Sequence, residues 1–534
     1  MRPAPHTLPD TREASVPAQA ANGSRWPRHA LALLLVVVTA FYAFIAFETG
    51  RSQFHYLLDP DSAGQVAQIR AAADAGVDVR GTEAVERYTP LWFQWMAELT
   101  DTRFSYNSDS LFNTQLYYAQ MPSSHQLVLG LHMLLGGTCM LLGGLQFWPG
   151  LRRQFPRLHR GAGMGFLVAA QLAMILSMIY LTLTGVANTY AQLTFHVGLW
   201  FLAITVSVSL WLAMYHVKNH QIVQHMGWLA LAYGLLISAP LTRYDWVAIG
   251  MLFPQTSFNE ANYSMMAILI VQCFLVGYAL ICFSRWQSRT RPVPQPLPWA
   301  DRLRAALPVW QPVVSVLLLA VAATTVWFYL VAPGLAESAL AARMIPAGVI
   351  ANEGRVLQPQ LLMRALYTLL TVGVLLLAPR FLRRAFTQPL AAPALPADLP
   401  VLGMTLAVAS ALAGLIQCAW GYALGTPSHA TLAGGTFYML TGSVELLFAL
   451  LLGWAAWRQQ LALVKELGIF TLVAVATAPL FFWMLALLDV IGIPAHYLAT
   501  GHGYGLAIGL APIGLLGAFV YAIYGSASRA RAVY

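Results

Sequence analysis

Four histidines, His132, His159, His196 and His225, fall in or beside four consecutive apolar stretches, one ring to each. Neutral imidazole is a strong axial ligand for haem iron, and two facing helices can hold rings on opposite sides of one macrocycle. His132 and His196 lie toward one end of their stretches, His159 and His225 toward the other, so the rings sort into an outer and an inner pair. Two haem b groups at opposite depths would carry electrons across a membrane, and Arg160 is placed to meet a propionate. His132 carries the most weight, because an ionisable group inside a membrane helix normally serves a buried partner, a cavity or a pathway. His159, His216, His220 and His225 cluster where helices end, and hydrated rings at helix termini need no cofactor. Phase separates His196 from His216, 20 residues apart and about 200° around a helix, which makes His225 the preferred partner of His159.

The elements that must hold these rings are membrane helices. Over 534 residues the chain is 58% hydrophobic and 10% charged, with a mean hydropathy of +0.62, well beyond what a soluble domain uses. Twelve apolar stretches predict spans near 30–47, 125–147, 162–184, 193–215, 226–250, 262–284, 312–332, 360–380, 399–422, 431–456, 466–488 and 503–525. The fifth contains Pro240, Arg243 and Asp245, so it is expected to end at the proline and leave a short outer helix. The fold class is an all-α polytopic membrane protein with about 12 spans in two six-helix bundles.

Charge orients the spans. With both termini cytoplasmic, 21 of the 30 basic residues fall in the tails and inner loops, which satisfies the positive-inside bias. The net charge of +9 is thereby spread over short loops rather than gathered in a groove, which removes the motive for nucleic-acid binding. The expected setting is the inner membrane of a bacterium, with the lipid bilayer as the one certain partner.

Residues 1–28 read as a disordered cytoplasmic tail, and 29–284 as an N-terminal bundle with a periplasmic insertion at 48–124. That insertion has ten acidic residues against five arginines, and its segments AGQVAQIRAAADAG and ERYTPLWFQWMAEL read as short helices. A basic, proline-rich linker at 285–311 precedes a C-terminal bundle at 312–534. Cys139, Cys273, Cys282 and Cys418 are far apart, form no CxxC pair and read as packing residues.

A second constellation lies in the C-terminal half. His429, His496 and His502 are expected at one outer mouth, where they could bind a metal, a quinone or a haem edge, though unlinked loop histidines are the simpler account. Glu445 falls near mid-bilayer, where a carboxylate must be protonated, paired or reached by water, and Arg364 is a possible partner. These residues support an alternative to electron transfer, a proton-linked transporter of twelve spans. Whether the protein is an enzyme is left open by its residues.

The elements HMLLGG, LQF, LHRGAG and QHMGW, with Arg243 following, resemble the domain-of-unknown-function 2306 family of bacterial membrane proteins over about residues 125–285. The order of helices and histidines also resembles the two-haem bundle of the cytochrome b561 type, which implies haem b, a quinol donor or a periplasmic redox partner, and His132, His196, His159 and His225 as ligands. The QHMGWL element departs from the usual basic pattern after the histidine, and His196 must then serve as an extra outer ligand.

Overall fold

The computed structural model describes residues 26–189, 191–287, 306–333, 338–387 and 398–529. The expected tail, up to residue 25, and most of the expected linker, 288–305, lie outside these residues. Among the described residues eleven helices are long and apolar enough to cross a bilayer, and a bent pair of shorter helices passes the same test together, which makes up to twelve spans. In chain order they are α1 (Trp26–Leu58), α2 (Ser123–Gln146), α3 (Pro156–Thr184), α4 (Gln192–Lys218), the pair α5 (Ile222–Leu236) and α6 (Ser238–Leu252), α7 (Phe258–Gln287), α8 (Leu307–Val326), α9 (Leu361–Thr387), α10 (Asp398–Leu424), α11 (Thr436–Trp457), α12 (Leu461–Ile491), and the last span, α13 (His502–Leu510) with α14 (Gly514–Arg529).

Eleven of the twelve expected spans fall on single long apolar helices, and the fifth falls on the bent pair. Its break falls at Ile237, with α5 and α6 meeting at 41°. Pro240 occupies the first turn of α6, where its missing N–H has no intrahelical carbonyl to lose. The proline therefore follows the bend.

Residues 59–121 form five short helices at one end of the molecule, including the two expected, Ser62–Asp74 and Leu91–Leu99. Trp92 is buried and donates to Thr49 Oγ1 at 2.9 Å, whereas Trp95 is half exposed and stacks on Phe41. This is called the insertion end below. At the same end α8 finishes in a π-helical turn, Trp327–Val331, and Arg364 donates to the carbonyl of Tyr329 at 2.9 Å.

One hydrophobic core includes residues from Tyr42 to Ile523, so it does not divide at the linker. The last span explains why: α13 packs on α4 and α7 as well as α12, and α14 packs on α5 as well as α12. At the opposite end Glu466 is fully buried and takes two bonds from Arg285, at 2.9 and 3.2 Å, and one from Tyr278 at 2.6 Å. Arg285 also reaches the Ala522 carbonyl at 3.0 Å, tying α7 to α12 and α14. Within the C-terminal half α10 and α11 touch backbone to backbone, since a Cβ on Gly435 would stand 1.7 Å from the Gly421 oxygen.

Candidate functional site

His132 sits in the third turn of α2, on the wall of a cavity of about 560 Å³ lined by α1 to α7, the insertion, His429 and His502. Its Nδ1 lies 2.8 Å from the Ala173 carbonyl oxygen. A carbonyl only accepts, so Nδ1 carries the proton and the Nε2 lone pair is left available. Ligating histidines are oriented in this way, with the second ring nitrogen tied to a carbonyl or carboxylate. Arg243 lines the same cavity from α6. It donates to the Ala239 carbonyl at 2.8 Å and lies over the rings of Trp92 and Trp246 at 5.3 and 5.8 Å. No carboxylate stands within 4 Å of it among the described residues, and its Nε is buried without a hydrogen-bond partner. Tyr42, Met133, Met140 and Met174 supply much of the remaining wall. An imidazole lone pair, an unpaired guanidinium and apolar walls suit an amphipathic ligand that offers an electron-pair acceptor and an acidic group.

The structure does not bring His196 to this wall. Trp200 Nε1 donates to His196 Nε2 at 3.2 Å, and His196 Nδ1 in turn faces Thr189 Oγ1 at 3.2 Å, so both ring nitrogens are engaged. His159 and His225, the inner pair, do come together. They line a second cavity of about 190 Å³ at the end opposite the insertion, with Gln146, Phe147 and Arg152. His225 repeats the orientation of His132, its Nδ1 donating to the Ala213 carbonyl at 2.9 Å, and His159 Nδ1 is buried without a partner. Arg160 is exposed, turns its Nε to the Pro156 carbonyl at 3.3 Å and lines neither cavity. His216 joins α4 to α14 through Tyr524 at 3.0 Å.

Of the three C-terminal histidines, His429 and His502 line the larger cavity and flank Tyr263, at 6.0 and 6.5 Å between ring centroids. His496 is exposed, lies against the ring of Tyr497 at a tilt of 45° and does not line the cavity. At the rim His429 Nε2 lies 2.7 Å from Asp109 Oδ2 and 4.0 Å from Glu260 Oε1. One ligand atom from each of Asp109, Glu260 and His429 falls within 4.8 Å of the others, so this cluster could hold an ion. Its members also bind one another. Ser257 and Asn259 donate to Asp109, and Glu260 Oε1 accepts from the His429 amide at 3.0 Å. Burial works to raise the Asp109 carboxyl, but bonds from Ser257, His429 and Asn259 outweigh it and hold the pKa below the usual carboxylate range.

Sequence reasoning missed Asp109 and Glu260, because no spacing links three residues drawn from an insertion, a helix start and a distant loop. One local signal was available. Ser257 and Glu260 form the pattern S-x-x-E, and they make a reciprocal capping box, with Glu260 N to Ser257 Oγ at 3.2 Å and Ser257 N to Glu260 Oε2 at 2.8 Å. Glu445 is fully buried near the middle of α11 and accepts from Gln417 Nε2 at 2.5 Å. The expected partner Arg364 instead bonds the carbonyls of Tyr329 and Gln358, at 2.9 and 3.1 Å. Among the described residues Cys139, Cys273, Cys282 and Cys418 form no disulfide, and Cys139 and Cys273 are buried.

Comparison with curated proteins and with solved structures gives no match. Residues 129–283 match the model of a family described as Predicted membrane protein (DUF2306). The match begins in α2, ends in α7 and takes in His132, His159, His196, His225 and Arg243. Residues 129–283, which supply His132, His159 and His225, are thus similar to the DUF2306 membrane-protein module.

Proposed function

We propose that this module holds one redox cofactor, a haem b, in the cavity at the insertion end, and that the protein exchanges electrons there with a quinol or a periplasmic partner. The observation that carries this reading is the tautomer of His132, whose bond to Ala173 leaves Nε2 unprotonated on a cavity wall. At about 560 Å³ the cavity lies within the roughly 300–1,000 Å³ typical of cofactor and ligand sites. A haem b bound there would supply one-electron chemistry at its iron. His132 and Arg243 would hold it, and the methionine and tyrosine side chains of the wall would limit the access of water. The inner cavity, at about 190 Å³, is below the lower bound of about 300 Å³. This account therefore places one macrocycle where the four histidines suggested two, and it uses Arg243 in place of Arg160. In the orientation that the basic loops favour, the insertion end is periplasmic and both termini are cytoplasmic.

The experiment is haem content. Full-length protein purified from haem-replete cells is expected to carry close to one haem per chain, to lose it in His132→Ala and to keep it in His196→Ala. A parent protein free of haem, or a His132→Ala variant that retains the full content, overturns the reading.

One observation favours a second reading, solute transport coupled to protonation of Glu445. A fully buried carboxylate held by a neutral amide, with no cation bound to it among the described residues, is suited to carrying a proton rather than a fixed charge. Its test is pH-dependent uptake by parent and Glu445→Gln vesicles.

A further inference from the structure

We propose that the C-terminal half contains a proton relay that joins the insertion end of the molecule to Glu445, entered at Glu353 and passed through the hydroxyls of Tyr438, Tyr329 and Tyr367. It takes from the second reading only that Glu445 carries a proton, and it is independent of any cofactor in the N-terminal half.

Polar residues recur at helical spacing inside these membrane helices. On α11, Tyr438, Thr441 and Glu445 stand at i, i+3 and i+7, so they share one face, and all three are buried. On α9, Arg364, Tyr367, Thr368 and Thr371 form a matching buried stripe. Between them lie Gln417 and Trp420 of α10 and Tyr329 of the π-helical turn. Apolar residues would fill these positions at no desolvation cost, so a polar stripe on each of the two helices that pack on α10 calls for an explanation.

The groups are also connected. Glu353, buried in the short helix Ala347–Leu357, accepts from Tyr438 Oη at 3.4 Å. Tyr329 interacts electrostatically with both Glu353 and Glu445, and its ring lies 4.7 Å from that of Tyr367. Tyr367 is likewise within the field of Glu445. At the far end Gln417 donates to Glu445 at 2.5 Å and accepts from Thr441 at 2.6 Å. The span from Tyr438 to Glu445 is seven residues, roughly 10 Å along the helix axis.

A structural polar cluster is expected to be fully satisfied, and this one is not. Ser410 Oγ and Glu445 Oε1 are buried without hydrogen-bond partners. Thr368, by contrast, back-bonds to the Arg364 carbonyl at 2.8 Å. Unspent donors and acceptors beside Glu445 are what a path with changing proton positions requires.

The transfer balances without electrons. A proton from bulk water adds to the Glu353 carboxylate. Each tyrosine hydroxyl then accepts a proton on one side and releases its own on the other, ending neutral. The net step converts Glu353–COOH and Glu445–COO⁻ into Glu353–COO⁻ and Glu445–COOH. Burial pushes the Glu353 carboxyl up to about 8, against a smaller opposing effect of its bond to Tyr438, which lets it load and release protons near neutrality. The titratable groups that face it are Tyr438 of α11, Tyr329 of the π-helical turn and Tyr504 of α13. Tyr329 and Tyr367 face Glu445.

The test is infrared spectroscopy of the full-length protein in lipid vesicles, transferred from H₂O to D₂O. The protonated-carboxyl band removed by Glu445→Gln is expected to exchange quickly in the parent. In Glu353→Gln and in Tyr438→Phe it slows about tenfold or more, the effect of raising one barrier on the relay by about 1.4 kcal/mol. Glu353→Asp restores fast exchange. Tyr438→Phe keeps the test available should Glu353→Gln not fold. If Glu445→Gln removes no such band, the proton-linked reading fails and the relay with it. A band that is present but exchanges at the parent rate in both variants overturns the relay alone.

Discussion

A single hydrogen bond decides what each imidazole can do. His132 and His225 give their Nδ1 protons to backbone carbonyls and keep a lone pair, whereas Trp200 consumes that of His196. Histidine order along the chain could not show this, since it depends on which carbonyl or indole each ring meets. The two carboxylates with resolved roles pull stability in opposite directions with pH. The pKa of Asp109 is lowered in the folded protein, so its contribution is present above the unfolded carboxylate pKa and is lost as pH falls. The thermal midpoint in detergent is therefore expected to drop below about pH 4, and Asp109→Asn to flatten that limb at a cost of roughly 1–3 kcal/mol. Glu353 has a raised pKa, so burying it becomes costly as pH climbs from 4.5 toward about 8. Glu353→Gln should remove that second limb. Midpoints of the three proteins against pH check both signs.

At the scale of elements, composition and periodicity were enough to find eleven spans and the bent pair, because the bilayer imposes one length and one polarity on each span. The bend at Ile237 was displaced by three residues because proline marks where a helix can begin as readily as where it stops. The stripes Arg364–Tyr367–Thr371 and Tyr438–Thr441–Glu445 were present in the sequence and would have been found by scoring polar residues at helical period within the spans. The rim cluster was not legible, since Asp109, Glu260 and His429 meet only after three separate elements have folded. The seam between α10 and α11 makes a sharp prediction. Gly435→Ala places a methyl against the Gly421 backbone, which cannot yield as a side chain would, so it should cost more than about 1–3 kcal/mol. Gly517→Ala, with nothing within 4 Å of the new atom, should cost nothing measurable in the same thermal-unfolding assay.

On the scale of the whole molecule, equal numbers of spans before and after a proline-rich linker suggested two bundles, yet buried contacts cross that boundary, mainly through the last span. Helix counting cannot reveal this, because the last span packs on both halves and only its neighbours show it. Residues 1–287 and 306–534, co-expressed as two chains, are accordingly expected to purify together, and Glu466→Gln to weaken that association by removing the ionised partner of Arg285. Halves that separate under mild detergent would mean that the shared core contributes little. The redox account stands most directly on the reduced-minus-oxidised visible spectrum of the purified parent protein. It predicts the bands of one b-type haem, abolished by His132→Ala and unchanged by His196→Ala. A colourless, correctly folded preparation from haem-replete cells would contradict it.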